Sequence, residues 1–140
     1  MNRIKKILFF IPLSLLSACS LLGMGGTEFH TFEGISKAEF YHFEKYGGSG
    51  ANSEVAILTE HDELQSLKSS LDKASDGVRV NPRETTPEYD MILHHEKGDT
   101  ILHLIVGERG DTSHVMYAGY ENEHFILPIE STEKIIDLIN

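Results

Sequence analysis

Cysteine is almost absent from this chain: one residue, Cys19, among 140. A single cysteine can form no disulfide within the chain, so the fold must rest on its own apolar core. Basic residues are scarce too. Twelve Lys and Arg face 22 Asp and Glu, a formal net charge of −10. An acidic body repels nucleic acid and anionic lipid headgroups, which excludes nucleic acid as a partner. Motifs of fixed chemistry are also missing. The sequence holds no His-Glu-x-x-His, no paired cysteine and no His-x-His, the strong spacings for a metal. Gly47-Gly48-Ser49-Gly50 lacks the Gly-Lys-Ser/Thr ending of a phosphate-binding loop. No Gly-x-Ser-x-Gly elbow occurs. Ser113 precedes His114, but adjacent strand residues point to opposite faces and cannot pair as nucleophile and base. None of these patterns calls for a cofactor.

The N-terminus is where the sequence is most informative. Arg3, Lys5 and Lys6 form a positive segment, and an apolar stretch runs from Ile7 to Leu16. Ser17 and Ala18 then precede Cys19, small residues where a processing peptidase must grip the chain closely. Leu16-Ser17-Ala18-Cys19 resembles the lipobox of bacterial lipoproteins. The resemblance implies cleavage between Ala18 and Cys19 and a diacylglycerol on Cys19. Two acyl chains give durable anchoring where one does not. It also implies a place on the extracytoplasmic face of the cell membrane, or on the outer membrane of a Gram-negative host. The alternative is an uncleaved signal anchor, because residues 7 to 27 carry no charge. Pro12 and the serines and glycines in that run count against it. A lipid-bearing Cys19 leaves no free thiol, which excludes thiol redox chemistry and cysteine hydrolysis. The leader takes three basic residues with it, so the mature chain carries nine basic and 22 acidic residues, a net of −13.

Three segments follow: residues 1–18 as signal peptide, 19–34 as a lipidated flexible tether and 35–140 as one domain. Gly23, Gly25, Gly26 and Gly34 mark the tether. Residues 37–46 and 54–58 read as strands. Thr59, with Asp62 three residues on, reads as the cap of a helix. Leu64, Leu67, Leu71 and Ala74 then make one apolar stripe, and Gly77 lies past the end. Residues 78–88, with Pro82 and Pro87, read as an irregular connection. Four strands are expected at 89–96, 100–106, 114–119 and 124–129. Ser131 caps a last helix, 132–139, with Ile135, Ile136, Leu138 and Ile139 inward. The expected fold is α+β: a mainly antiparallel sheet of about six strands, order β-β-α-β-β-β-β-α, with two helices on one face. The order of elements and the strand start Pro87-Glu88-Tyr89-Asp90 resemble the small YhfM-like lipoproteins of Bacillota over residues 35–140. That resemblance implies the fold and the location and adds no activity.

Eight histidines are the one compositional oddity with chemical content. His94 and His103 are the candidate metal ligands. A two-residue loop at Lys97-Gly98 sets Ile92 opposite His103 and makes the two histidines diagonal neighbours. A three-residue loop, 96–98, sets Met91 opposite His103 and separates them. Phe40, Tyr41, Phe43 and Tyr46 read either as strand core or as the floor of a groove. With no catalytic constellation, the leading expectation is a non-catalytic binding or adaptor module at the cell envelope, not an enzyme. Its partners are the membrane, through the lipid on Cys19, and an envelope protein. The alternatives are a histidine-based metal-binding lipoprotein and a cell-envelope enzyme.

Intact-mass measurement on protein extracted from membranes is expected to give a chain beginning at lipidated Cys19, and Cys19→Ala to release it. A chain still carrying Met1 to Ala18 would leave the signal anchor.

Overall fold

The computed structural model describes residues 27–30, 32–47 and 53–140. The signal segment, Ala18 and Cys19 lie outside these residues. No described helix is long and apolar enough to cross a membrane. The elements run β1 (Lys37–His42), β2 (Glu54–Leu58), α1 (His61–Leu71), β3 (Val78–Arg79), β4 (Tyr89–His95), β5 (Gly98–Ile105), β6 (Ser113–Tyr117), β7 (Glu123–Leu127) and α2 (Ile129–Ile139). The strands form one seven-stranded sheet in the order β2-β1-β4-β5-β6-β7-β3, with every pair antiparallel. Seven strands replace the expected six or so. The addition is β3, two residues inside the stretch read as irregular, which pairs with the outer side of β7. A two-residue pairing carries no periodicity that a sequence could display.

Side chains alternate across a strand, so the registers sort them into two faces. One face carries Ala38, Phe40, Leu58, Met91, Leu93, Leu102, Leu104, Val115, Phe125 and Leu127, all buried. These join Leu64, Leu67 and Leu71 of α1 and Ile135 and Ile139 of α2 in a single core. The apolar stripe on α1 therefore faces the sheet. The helices meet through small residues: the Ser131 hydroxyl donates to the Ser70 carbonyl at 3.1 Å.

Both expected helix caps move. Glu60 precedes α1 and Pro128 precedes α2, neither capping through its side chain. Pro128 starts α2 because its ring fixes a φ compatible with a helix start. Ser131 falls inside the first turn and serves the helix–helix contact instead. The stretch expected to be a free tether is also partly built in: Phe32 is a core residue and Phe29 packs against the core. Gly34 permits that return, because its φ is +63° and a Cβ there would collide with the Glu96 side chain.

β1 is shorter than the aromatic run suggests. It ends at His42, and the chain turns at Tyr46–Gly47, where Gly47 has φ +73°. Phe40 is core. Phe43 and Tyr46 leave the sheet and fold over its other face.

Leu67 is fully buried in the core and Gln65 is exposed on the same helix. Leu67→Ala is expected to cost about 2–5 kcal/mol in denaturant unfolding and Gln65→Ala under about 0.5 kcal/mol. Equal stability of the two variants would mean that the face of α1 is wrongly assigned.

Candidate functional site

The face away from the helices carries an unusual row. Tyr41 stands opposite Asp90, Asp90 opposite His103, and His103 opposite Met116. Carried one residue further, the β6–β7 register sets Met116 opposite His124, and His124 stands opposite Val78. Asp90, His103, Met116 and His124 are all buried. A charge out of water costs several kcal/mol unless it is paired. The pairing is present. His103 Nδ1 lies 2.6 Å from Asp90 Oδ1. On its other side, His103 Nε2 lies 3.3 Å from Glu121 Oε1. That approach lacks hydrogen-bond geometry, so Nε2 has no hydrogen-bond partner within the protein.

Glu121 sits in the turn between β6 and β7, and the same Oε1 accepts from the Gly119 amide at 2.6 Å. Burial alone would raise the Glu121 carboxyl. The Gly119 amide, the residue's own amide and His103 outweigh it and hold the carboxyl below the usual range. Burial raises Asp90, and its bond to His103 opposes that rise only in part.

Two loops close over this group. The Phe43 and Tyr46 rings stand edge-on to the His103 ring, with centroids 5.4 and 5.6 Å away. The Tyr46 hydroxyl donates to the Thr85 carbonyl at 3.3 Å. The connection from β3 to β4 therefore passes over the same face. Burial, with Glu121 nearby, raises the Tyr46 phenol.

A second polar pair lies beside the first. His114 Nδ1 and His124 Nδ1 are 3.3 Å apart, with the rings nearly perpendicular. Burial pushes both imidazoles down, and for His124 the neighbouring His114 adds to it. Among the described residues, no group of three or more His, Cys, Asp or Glu is arranged to hold a metal ion.

A cleft of about 720 Å³ opens at the start of β5 and the end of β6. Ile101, Tyr117, Ala118, Tyr120 and Phe125 give it an apolar wall, and His30 of the N-terminal arm closes one side. Its volume falls in the range of small-molecule sites. Tyr120 lines the cleft and Glu121, next in the same turn, reaches the buried row, while Tyr117 and Phe125 of the cleft wall belong to the helix-facing side of the sheet.

The two expected metal ligands do not converge. Both expected registers are wrong, because the turn is Glu96-Lys97 and His95 pairs with Gly98. His103 thus faces Asp90, and His94 faces Asp99. His94 Nδ1 bonds Asp99 at 2.7 Å, with Glu39 3.5 Å from its Nε2. Each histidine has its own carboxylate. Ser113 and His114 are divided by the sheet, as the alternation requires. Ser113 bonds Val106 and Thr132, while His114 meets His124. Asp90 and Glu121 escaped the sequence reading. Asp90 could have been noticed as the one acid inside the apolar run 89–93, whereas Glu121 depends on the fold of a turn.

No family model and no curated protein matches the chain. The solved structure of a thioesterase-like protein from Clostridium sporogenes is similar in fold, with a TM-score of 0.59 at 13% identity. The match covers 78% of this chain and 97% of that one. At that identity the likeness speaks for the fold. It nevertheless corrects the expectation of a non-catalytic module and of a chain that is not an enzyme, since a thioesterase-like protein shares this architecture.

The Asp90–His103 pair makes a sharp prediction for stability. Removing one partner of a buried hydrogen-bonded pair leaves an unsatisfied group, at about 1–3 kcal/mol and more where that group is charged. His103→Leu is expected to cost that much. Asp90→Leu/His103→Leu together are expected to cost less than either single change, as a double-mutant cycle by urea unfolding would measure. Additive losses would mean that the two side chains do not interact.

Proposed function

We propose that this protein is a cell-envelope enzyme that hydrolyses an acyl ester or thioester, tethered to the membrane through a lipid on Cys19. The observation that carries the reading is His103 of β5, buried between the Asp90 and Glu121 carboxylates, with Glu121 following Tyr120 of the apolar cleft. Two further points support it: the fold shared with a thioesterase-like protein, and the leader segment that resembles a lipobox. The tether adds a physical reason for the location, because the eight residue-to-residue steps from Cys19 to Thr27 reach at most about 29 Å.

The chemistry needs no side-chain nucleophile. The acyl portion occupies the cleft along Ile101, Tyr117 and Tyr120, with the scissile carbonyl at the turn holding Gly119 and Glu121. Glu121, ionised at neutral pH, takes a proton from a water molecule, and the resulting hydroxide adds to the carbonyl carbon. In its doubly protonated form the His103 ring places positive charge 3.3 Å from Glu121 and stabilises the carboxylate. Asp90 fixes the ring by accepting from Nδ1, which keeps Nε2 directed at Glu121. The tetrahedral intermediate then expels the thiolate or alkoxide, and the proton held on Glu121 passes to it. Acid and base roles thus fall to one carboxyl, and the water supplies both hydrogens of the products.

A panel of short and long acyl thioesters and aryl esters tests the reading on the purified protein. Turnover is expected, and Glu121→Gln should lower kcat by about 10²–10⁴-fold, as loss of a general base does. Absence of turnover across the panel, or an unaffected Glu121→Gln variant, would remove the reading.

A further inference from the structure

The His114–His124 pair has no part in the chemistry above, and its two Nδ1 atoms stand in direct contact. We propose that His114, His124 and Met116 form a binding site for monovalent copper.

The two Nδ1 atoms lie 3.3 Å apart. With metal–nitrogen bonds of about 2.0–2.1 Å, that separation corresponds to an angle at the metal of about 104–111°, close to tetrahedral. The two ring nitrogens face each other across neighbouring strands, hydrogen-bonded Nδ1 to Nδ1 with no carboxylate in the contact. Both histidines are biased toward the neutral form by burial, and a neutral imidazole is the form that ligates. In the metal-free protein one Nδ1 must donate its hydrogen to the other. Binding requires both rings to carry their hydrogen on Nε2, and a proton moves within one ring without net release.

Two nitrogens make a weak site, and no third His, Cys, Asp or Glu completes it among the described residues. The register supplies a different donor. Met116 shares the face of His114, two residues along β6, and stands opposite His124. Side chains directly opposite on neighbouring strands have Cβ atoms about 4.5–5.5 Å apart, within reach of a methionine thioether. Met116 is fully buried, and it lies outside the apolar core beneath the helices. A thioether is soft, and a set of two imidazoles and one thioether selects Cu(I) over zinc, calcium or magnesium. His114 is only half-buried, so an ion can enter from its side. The site lies on the face that carries Asp90 and His103 but uses neither, so it stands or falls independently of the hydrolase reading.

The test uses the lipid-bearing chain in detergent, in which Cys19 offers no free thiol to compete. Thermal unfolding is followed under anaerobic conditions with Cu(I) in acetonitrile, and separately with zinc. A ligand that binds the native state raises the melting temperature in proportion to the logarithm of its concentration. Cu(I) is expected to raise it more than zinc does. Met116→Leu keeps the volume and is expected to abolish that preference for Cu(I) over zinc. His114→Gln, at the half-buried position, is expected to abolish the Cu(I) shift, and the melt itself reports whether each variant folds. Long-range ¹H–¹⁵N spectra should show Cu(I) acting on Nδ1 of His114 and His124. No shift in the parent chain would overturn the proposal. A shift that survives His114→Gln would overturn it as well, assigning the metal to the other histidines.

Discussion

The alternation of side chains across the sheet is the constraint on which everything else in this protein depends. Strands β4 and β5 alternate Met91, Leu93, Leu102 and Leu104 toward the helices with Asp90 and His103 away from them. The first set makes the core. The second would be an ordinary solvated face if the chain left it open. Instead, the residues after β1 and the connection into β4 close over it, and a carboxylate and an imidazole are left out of water. One periodicity thus generates both the stability of the domain and its most demanding chemistry.

Burying that pair makes poor sense as a stabilising device. Coulombic attraction between buried partners seldom exceeds the cost of dehydrating them, and apolar replacements of equal volume are often as stable. The arrangement makes better sense as positioning. Asp90 holds Nδ1, so Nε2 has a fixed direction, and Glu121 meets it from a turn that also borders the cleft. Groups whose charge is shifted by burial and a specific partner cluster at working sites. Phe43 and Tyr46 close the site with aromatic edges, which exclude water and so strengthen every charge beneath them.

The sequence made the helix-facing half of the fold legible. The Leu64–Leu67–Leu71 stripe, the strand positions and the terminal helix all follow from periodicities that a core imposes. Failures gathered where a local choice of one residue governs the outcome. Moving the turn to Glu96-Lys97 shifted every partner of β5 by one or two places and replaced a histidine pair with two histidine–carboxylate pairs. β3 was too short to show a pattern. Glu121 was invisible because a turn residue's direction depends on backbone geometry that composition does not encode. The His114–His124 contact needed the β6–β7 register, which no motif marks. The single clearest sequence feature, the lipobox-like segment around Cys19, lies outside the described residues and bears on none of these contacts.

The account rests most directly on the tautomer of His103, which long-range ¹H–¹⁵N NMR reads for each histidine ring. It predicts a proton on Nδ1, shared with Asp90 and slow to exchange with solvent, and an Nε2 that senses substitution at Glu121. A His103 ring protonated on Nε2 alone, or one exchanging freely with water, would contradict its placement between Asp90 and Glu121.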